Sequence, residues 1–141
     1  MGVRVRLRLC SDVRCLETSA LVNTGFESID PELVIPAPIA QILEIHPSPS
    51  IASYTVAGGG SLTAIRGDKP VRASLVLEEG VRAEVTAVAS IVPGEEEVII
   101  SDRLAHDLGI AIIDPYEGLW CLRDEIGLRV RRSVKPELWR Y

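Results

Sequence analysis

The chain has 141 residues and a formal charge of -5, the length of one domain and enough to bury roughly two-thirds of its unfolded surface in a single core. At 47% hydrophobic and 25% charged residues the composition is that of an ordinary globular protein, and its acidic balance excludes nucleic acid as the main partner, because phosphate binding needs a basic surface. No run of about 18 apolar residues is present to span a membrane, the amino terminus lacks the apolar block of a signal peptide, and three cysteines build no disulfide scaffold, so a cytoplasmic setting is expected.

Aromatic residues make up only 4% while Val, Ile and Leu dominate, which favours strands. Val3 to Leu9 alternates strictly, the period of a half-buried strand, with Arg4, Arg6 and Arg8 on a solvated face. Arg129, Arg131 and Arg132 near the other end read the same way. Ser11 to Arg14 forms a turn flanked by Cys10 and Cys15, whose thiols can face each other. An intracellular chain implies free buried thiols there; a cross-strand disulfide would suit a hyperthermophile source. Cys15 to Val22 is the returning strand, more apolar as it approaches Asn23. Phe26 to Asp30 is too short and mixed for a helix and is expected to cross the end of the sheet before Leu33-Val34-Ile35.

Pro31, Pro36, Pro38, Pro47 and Pro49 forbid a long helix through the next stretch. One or two turns fit over Ile39 to Leu43, with Pro38 suited to the first helical position, and His46 falls in a proline-rich connection. Four short strands follow, Ala52 to Val56, Ser61 to Ile65, Val71 to Leu77 and Val81 to Ile91, separated by Gly58-Gly59-Gly60, Gly67 to Pro70 and Glu78-Glu79-Gly80. Short strands at regular spacing imply an all-β sandwich or barrel. Val98 to Ile100 is a short apolar run. Ser101 after it is a helix N-cap, Asp102 suits the helix dipole, and the helix runs to Leu108 and stops at Gly109. Strands Ile110 to Ile113 and Leu119 to Leu122 precede a tail whose Trp139 and Tyr141 need somewhere to pack, on a second subunit or on the same one.

Asn-Thr-Gly alone is an ordinary turn signal, and Gly58 to Gly60 lacks the Gly-Lys-Ser/Thr of a nucleotide loop. The combination is more specific. Ala20-Leu21-Val22-Asn23-Thr24-Gly25, the glycine-rich hairpin Thr55 to Gly67, and Val98-Ile99-Ile100-Ser101-Asp102-Arg103-Leu104 resemble, in this order, the retropepsin-like aspartic peptidases. Ile112-Ile113-Asp114-Pro115 with Gly118-Leu119-Trp120 is similar to a closing hairpin of microbial members. The resemblance covers roughly residues 15 to 122 of a single domain, leaving 123 to 141 as a C-terminal extension.

This resemblance implies an all-β acid-protease barrel with one short helix, assembled as a homodimer whose active site lies on the two-fold axis. It implies that Thr24 braces the paired loops and that Gly25 permits close backbone approach. Ala57, Gly58, Gly59, Gly60 and Ser61 would form a flap over an extended peptide or protein substrate. No cofactor, metal, nucleic acid or membrane is implied. Two departures stand out. Ser101 occupies a position where the family usually has glycine, and Asn23 occupies that of the catalytic aspartate. An amide does not accept a proton near neutral pH, so the chain as written should not cleave peptides. It would be an aspartic endopeptidase silenced by an Asp-to-Asn change, or a natural pseudoprotease that binds peptides or serves as a dimerisation module.

Overall fold

The structure, a computed structural model, describes residues 2–55 and 61–140. Eleven strands, two short α-helices and one 3-10 turn follow one another along the chain. Alternation sets the first hairpin. In β1 (Arg4–Cys10) Val5, Leu7 and Leu9 are buried while the arginines face outward, and β1 pairs antiparallel with β2 (Cys15–Val22) from Arg4↔Leu21 to Cys10↔Cys15. The remaining strands of the large sheet are β3 (Glu32–Ile35), β4 (Pro47–Thr55), β5 (Ser61–Gly67), β6 (Val71–Leu77), β7 (Gly80–Ile91) and β8 (Val98–Ile100).

Their order is β3-β8-β2-β1-β6-β7-β5-β4, and β3 pairs back onto β7, so six strands close a barrel while β5 and β4 project from it as a hairpin. Closure removes the exposed edges of those six strands. The barrel interior holds Leu7, Leu9, Leu33, Ile35, Leu75 and Ile100, with Leu104 of α2 (Asp102–Asp107) over one end. A three-stranded sheet of β9 (Ile110–Asp114), β10 (Leu119–Leu122) and β11 (Arg131–Arg132) packs alongside. The all-β expectation holds. Where one helix was expected there are two, because α1 (Ala37–Ile42), the turn anticipated around Ile39, forms a full helix; Pro36 is its N-cap and Pro38 sits one place further in than expected. Pro47 and Pro49, read as a connection, lie within β4, and they are tolerated there because β4 is the outermost strand and need not donate along its free edge. Among the described residues no helix is long and apolar enough to cross a membrane.

Arg8, Arg129 and Arg132 are exposed as expected, whereas one arginine of each cluster, Arg4 and Arg131, is withdrawn from solvent. Arg4 is bidentate to the buried Glu97, with Nη2 3.2 Å from Oε2. Arg6 bridges Glu17 at 3.1 Å and Glu137 at 2.8 Å. The tail lies over this face: the Val134 N–H donates to the Arg4 carbonyl, the Glu137 N–H to Ser19 Oγ at 2.7 Å, and Trp139 Nε1 to the buried Thr18 Oγ1 at 2.8 Å. Trp139 therefore docks on its own chain and packs against the core. Gly118 is required at the join, since a Cβ there would meet Ser133 Oγ at 2.8 Å and the Gly2 carbonyl at 2.9 Å. Arg131, only 9% exposed, is held by Glu79 at 2.7 Å and Glu125 at 2.8 Å, over the Trp120 ring. Arg4 takes Glu97 and Arg131 takes Glu79 from distant parts of the chain, which a local reading of the sequence does not reveal.

Cys10 and Cys15 form a disulfide rather than the expected free thiols, and Cys15 is exposed. They sit directly opposite one another, next to a hairpin end closed by the Ser11 N–H to Arg14 carbonyl bond at 2.8 Å. Their Cα atoms are 4.1 Å apart, the close spacing of a non-hydrogen-bonded pair. Cys121 remains free, and burial pushes its thiol up from its ordinary value.

Replacing both Cys10 and Cys15 by Ser should lower stability by about 2 kcal/mol, the chain-entropy value for so short a loop, as measured by denaturant unfolding with and without reductant. Hydrogen bonds from Arg131 lower the Glu125 carboxyl from 4.5 to about 2. Its contribution to stability is thus complete above pH 4.5 and lost as pH falls toward about 2. Glu125→Gln should therefore lower Tm at neutral pH and flatten the acid limb of a Tm-against-pH curve.

Candidate functional site

The site is built where three strands meet end on. β8 lies between β2, with which it runs parallel (Ala20↔Val98 to Val22↔Ile100), and β3, with which it is antiparallel (Leu33↔Ile100). Residues 23–31 must therefore pass over the end of β8 to connect its two neighbours, as expected of Phe26 to Asp30. At that same end the chain enters α2. The polar stretch Asn23-Thr24-Gly25 is thus carried to the surface by a buried strand and set against a helix start.

Backbone bonds fix the crossover at each step. The Asn23 N–H extends the ladder by donating to the Ile100 carbonyl at 3.2 Å, and the Phe26 N–H donates back to the Asn23 carbonyl at 3.0 Å. Asn23 Oδ1 accepts the Gly25 N–H at 3.0 Å, a local side-chain turn. A Cβ on residue 25 would lie 3.2 Å from that same oxygen, a tight contact that the glycine avoids. Beyond it, Asp102 grips the loop twice: its N–H donates to the Phe26 carbonyl at 2.9 Å, and its Oδ1 accepts the Ser28 N–H at 3.0 Å. Arg103 Nη1 adds a bond to the Ile29 carbonyl at 2.9 Å and pairs with Asp107.

Ser101 is buried and ties the far side. Its Oγ caps α2 by accepting the Leu104 N–H at 3.1 Å and also accepts the Glu32 N–H at 3.2 Å, while its own N–H donates to the Glu32 carbonyl at 3.0 Å. A glycine could not make the first two bonds. Residues 100 to 103 thereby hold the loop from residue 23 to residue 32. The N-cap was legible in Ser101-Asp102; the grips by Asp102 and Arg103 were not, because their partners lie 74 residues away.

Asn23, Thr24 and Gly25 are all exposed in the single chain. Phe26 turns inward and, with Ile99, packs on Val34, Ala64 and Val92. Ala64 belongs to β5, so the root of the projecting hairpin abuts the loop, and Arg66 of β5 pairs with Glu32 at 3.2 Å. The structure thus gathers the Asn23 loop, the hairpin root and the β8–α2 junction in one place. Ser61 begins β5 opposite Thr55, whereas Ala57, Gly58, Gly59 and Gly60 lie outside the described residues. No family model matches the chain, and no curated protein matches it.

Three ionisable groups singled out by the sequence lie away from the triplet. Asp12 pairs with Lys69 at 3.3 Å, and His106 Nδ1 lies 3.3 Å from Arg123 Nη1 on the far end of α2. The His46 N–H donates to Asp68 Oδ1. The Asn23-Thr24-Gly25 triplet presents an amide, a hydroxyl and backbone groups, and the exposed carboxylates of the crossover, Glu27 and Asp30, stand further along it.

Ser101→Ala leaves the N-terminal turn of α2 uncapped and the buried Glu32 N–H without its acceptor, a cost of about 2 kcal/mol. Hydrogen exchange should show faster exchange concentrated in residues 23–32; acceleration spread evenly over the barrel would contradict the bracing described.

Proposed function

We propose that the chain is a retropepsin-like aspartic peptidase scaffold that works as a homodimer and is silent as written because Asn23 replaces the catalytic aspartate. The observation that carries this reading is a solvent-exposed Asn-Thr-Gly loop at the end of an apolar strand, pinned to β8 and α2 and flanked by the root of a hairpin. A polar loop braced so extensively, yet left open on a barrel surface, is suited to meeting a second copy of itself. The β4–β5 hairpin is then the flap, and a peptide lies between two loops and two flaps by strand addition.

The chemistry requires two carboxyl groups that share one proton. One accepts a proton from the attacking water while the other donates to the peptide carbonyl, and repulsion between like charges keeps the pair singly protonated. Two asparagines at the dyad supply donors and acceptors of nearly the same shape but no base. Asn23 itself favours the other reading, a non-catalytic module that binds peptides, since its amide can still hydrogen-bond a peptide carbonyl.

Asn23→Asp should convert the protein into a peptidase that cleaves a mixed peptide library with a bell-shaped acid pH profile and is blocked by a transition-state-mimicking inhibitor. The asparagine form is the control. A folded, dimeric aspartate form that cleaves nothing would sink the peptidase reading in favour of the binding module.

A further inference from the structure

Asparagine and glutamine are the thermolabile amides, prone to losing ammonia. The chain carries one of each, Asn23 and Gln41. The only asparagine in 141 residues therefore stands at the position where the proposed mechanism needs a carboxylate. Its surroundings favour the loss. Asn23 is exposed, so water reaches it. The Gly25 N–H donates to Oδ1 at 3.0 Å, which polarises the side-chain carbonyl and stabilises negative charge developing on that oxygen. The Thr24 N–H, whose nitrogen is the one that would attack Cγ, has no acceptor among the described residues. The Ile100 and Phe26 bonds hold the backbone on either side.

We propose that Asn23 is a self-deamidation site, at which the folded chain converts its own asparagine to aspartate through a cyclic imide with Thr24. The Thr24 nitrogen attacks Cγ, forming an N–Cγ bond as the Cγ–Nδ2 bond breaks; Nδ2 leaves as ammonia with the proton given up by Thr24. Water then adds to the imide. Attack at Cγ restores the peptide bond and leaves aspartate, whereas attack at the backbone carbonyl carbon of residue 23 gives isoaspartate. The Gly25 N–H faces the oxygen on Cγ and the Phe26 N–H faces the carbonyl oxygen of residue 23, each at 3.0 Å, so both routes have a donor and aspartate forms beside isoaspartate. The β-branch of Thr24 crowds the attack, so conversion belongs to days of warmth rather than minutes. The consequence, a protein that acquires its catalytic carboxylate after folding, rests on the peptidase reading. The bond chemistry does not.

The full chain, incubated warm at mildly alkaline pH and mapped by peptide mass spectrometry, should convert Asn23 about ten-fold faster when folded than in denaturant, a modest share of what a buried oxyanion donor supplies. Aspartate should form alongside isoaspartate. A folded rate equal to or below the denatured rate, or isoaspartate as the sole product, overturns the proposal. The two readings fail separately. Conversion without peptide cleavage upholds deamidation and removes the peptidase; cleavage by Asn23→Asp with no conversion of the parent chain does the reverse.

Discussion

The constraint on which the rest depends is the position of β8 between β2 and β3. A three-residue strand bonded on both edges leaves only one way for β2 to reach β3, over the end of β8, and the crossover must satisfy its backbone amides where no strand remains to pair with them. Helix α2 begins at that point and supplies the partners. Its N-cap serine, first-turn aspartate and following arginine are ordinary helix-start residues. Each also reaches across to the crossover. One junction thus caps a helix, closes a barrel and holds a polar loop at the surface.

Stability elsewhere comes from matching outward arginines to distant carboxylates. Arg4 with Glu97 and Arg131 with Glu125 are largely withdrawn from water, where breaking one partner costs more than the pair contributes. Arg6, Arg8 and Glu17 are more exposed and contribute little singly. The tail adds Glu137, whose N–H donates to Ser19 Oγ, and Trp139, whose Nε1 donates to the buried Thr18 Oγ1. Residues beyond the resembling stretch are therefore part of the same domain's packing rather than an appendage.

Local signals in the chain were legible. The alternation of Val3 to Leu9, the Ser11 to Arg14 turn, the Ser101 cap and Gly109, which takes φ +82 after α2, all report on neighbours a few residues away. The barrel's closure through β3–β7 was not legible, nor were the partners of Arg4 and Arg131, the place of Pro47 in a strand, or the docking of Trp139. Each is set by residues remote in sequence. At the site the same division holds. Asn23, Thr24 and Gly25 stood out because a polar triplet ends an apolar strand, while Asp102 and Arg103 read only as helix residues until the fold brought Ser28 and Ile29 to them.

In the proposed dimer two copies of the Asn23 loop meet face to face. Thr24→Cys tests it most directly, since Cys10 and Cys15 are already paired and Cys121 is buried, leaving residue 24 as the accessible thiol. Under mild oxidation such a dimer should yield a covalent product linked Cys-to-Cys through residue 24, formed at protein concentrations where random collision gives none. A chain that stays monomeric, with a thiol at residue 24 that alkylates freely at every concentration, would contradict it.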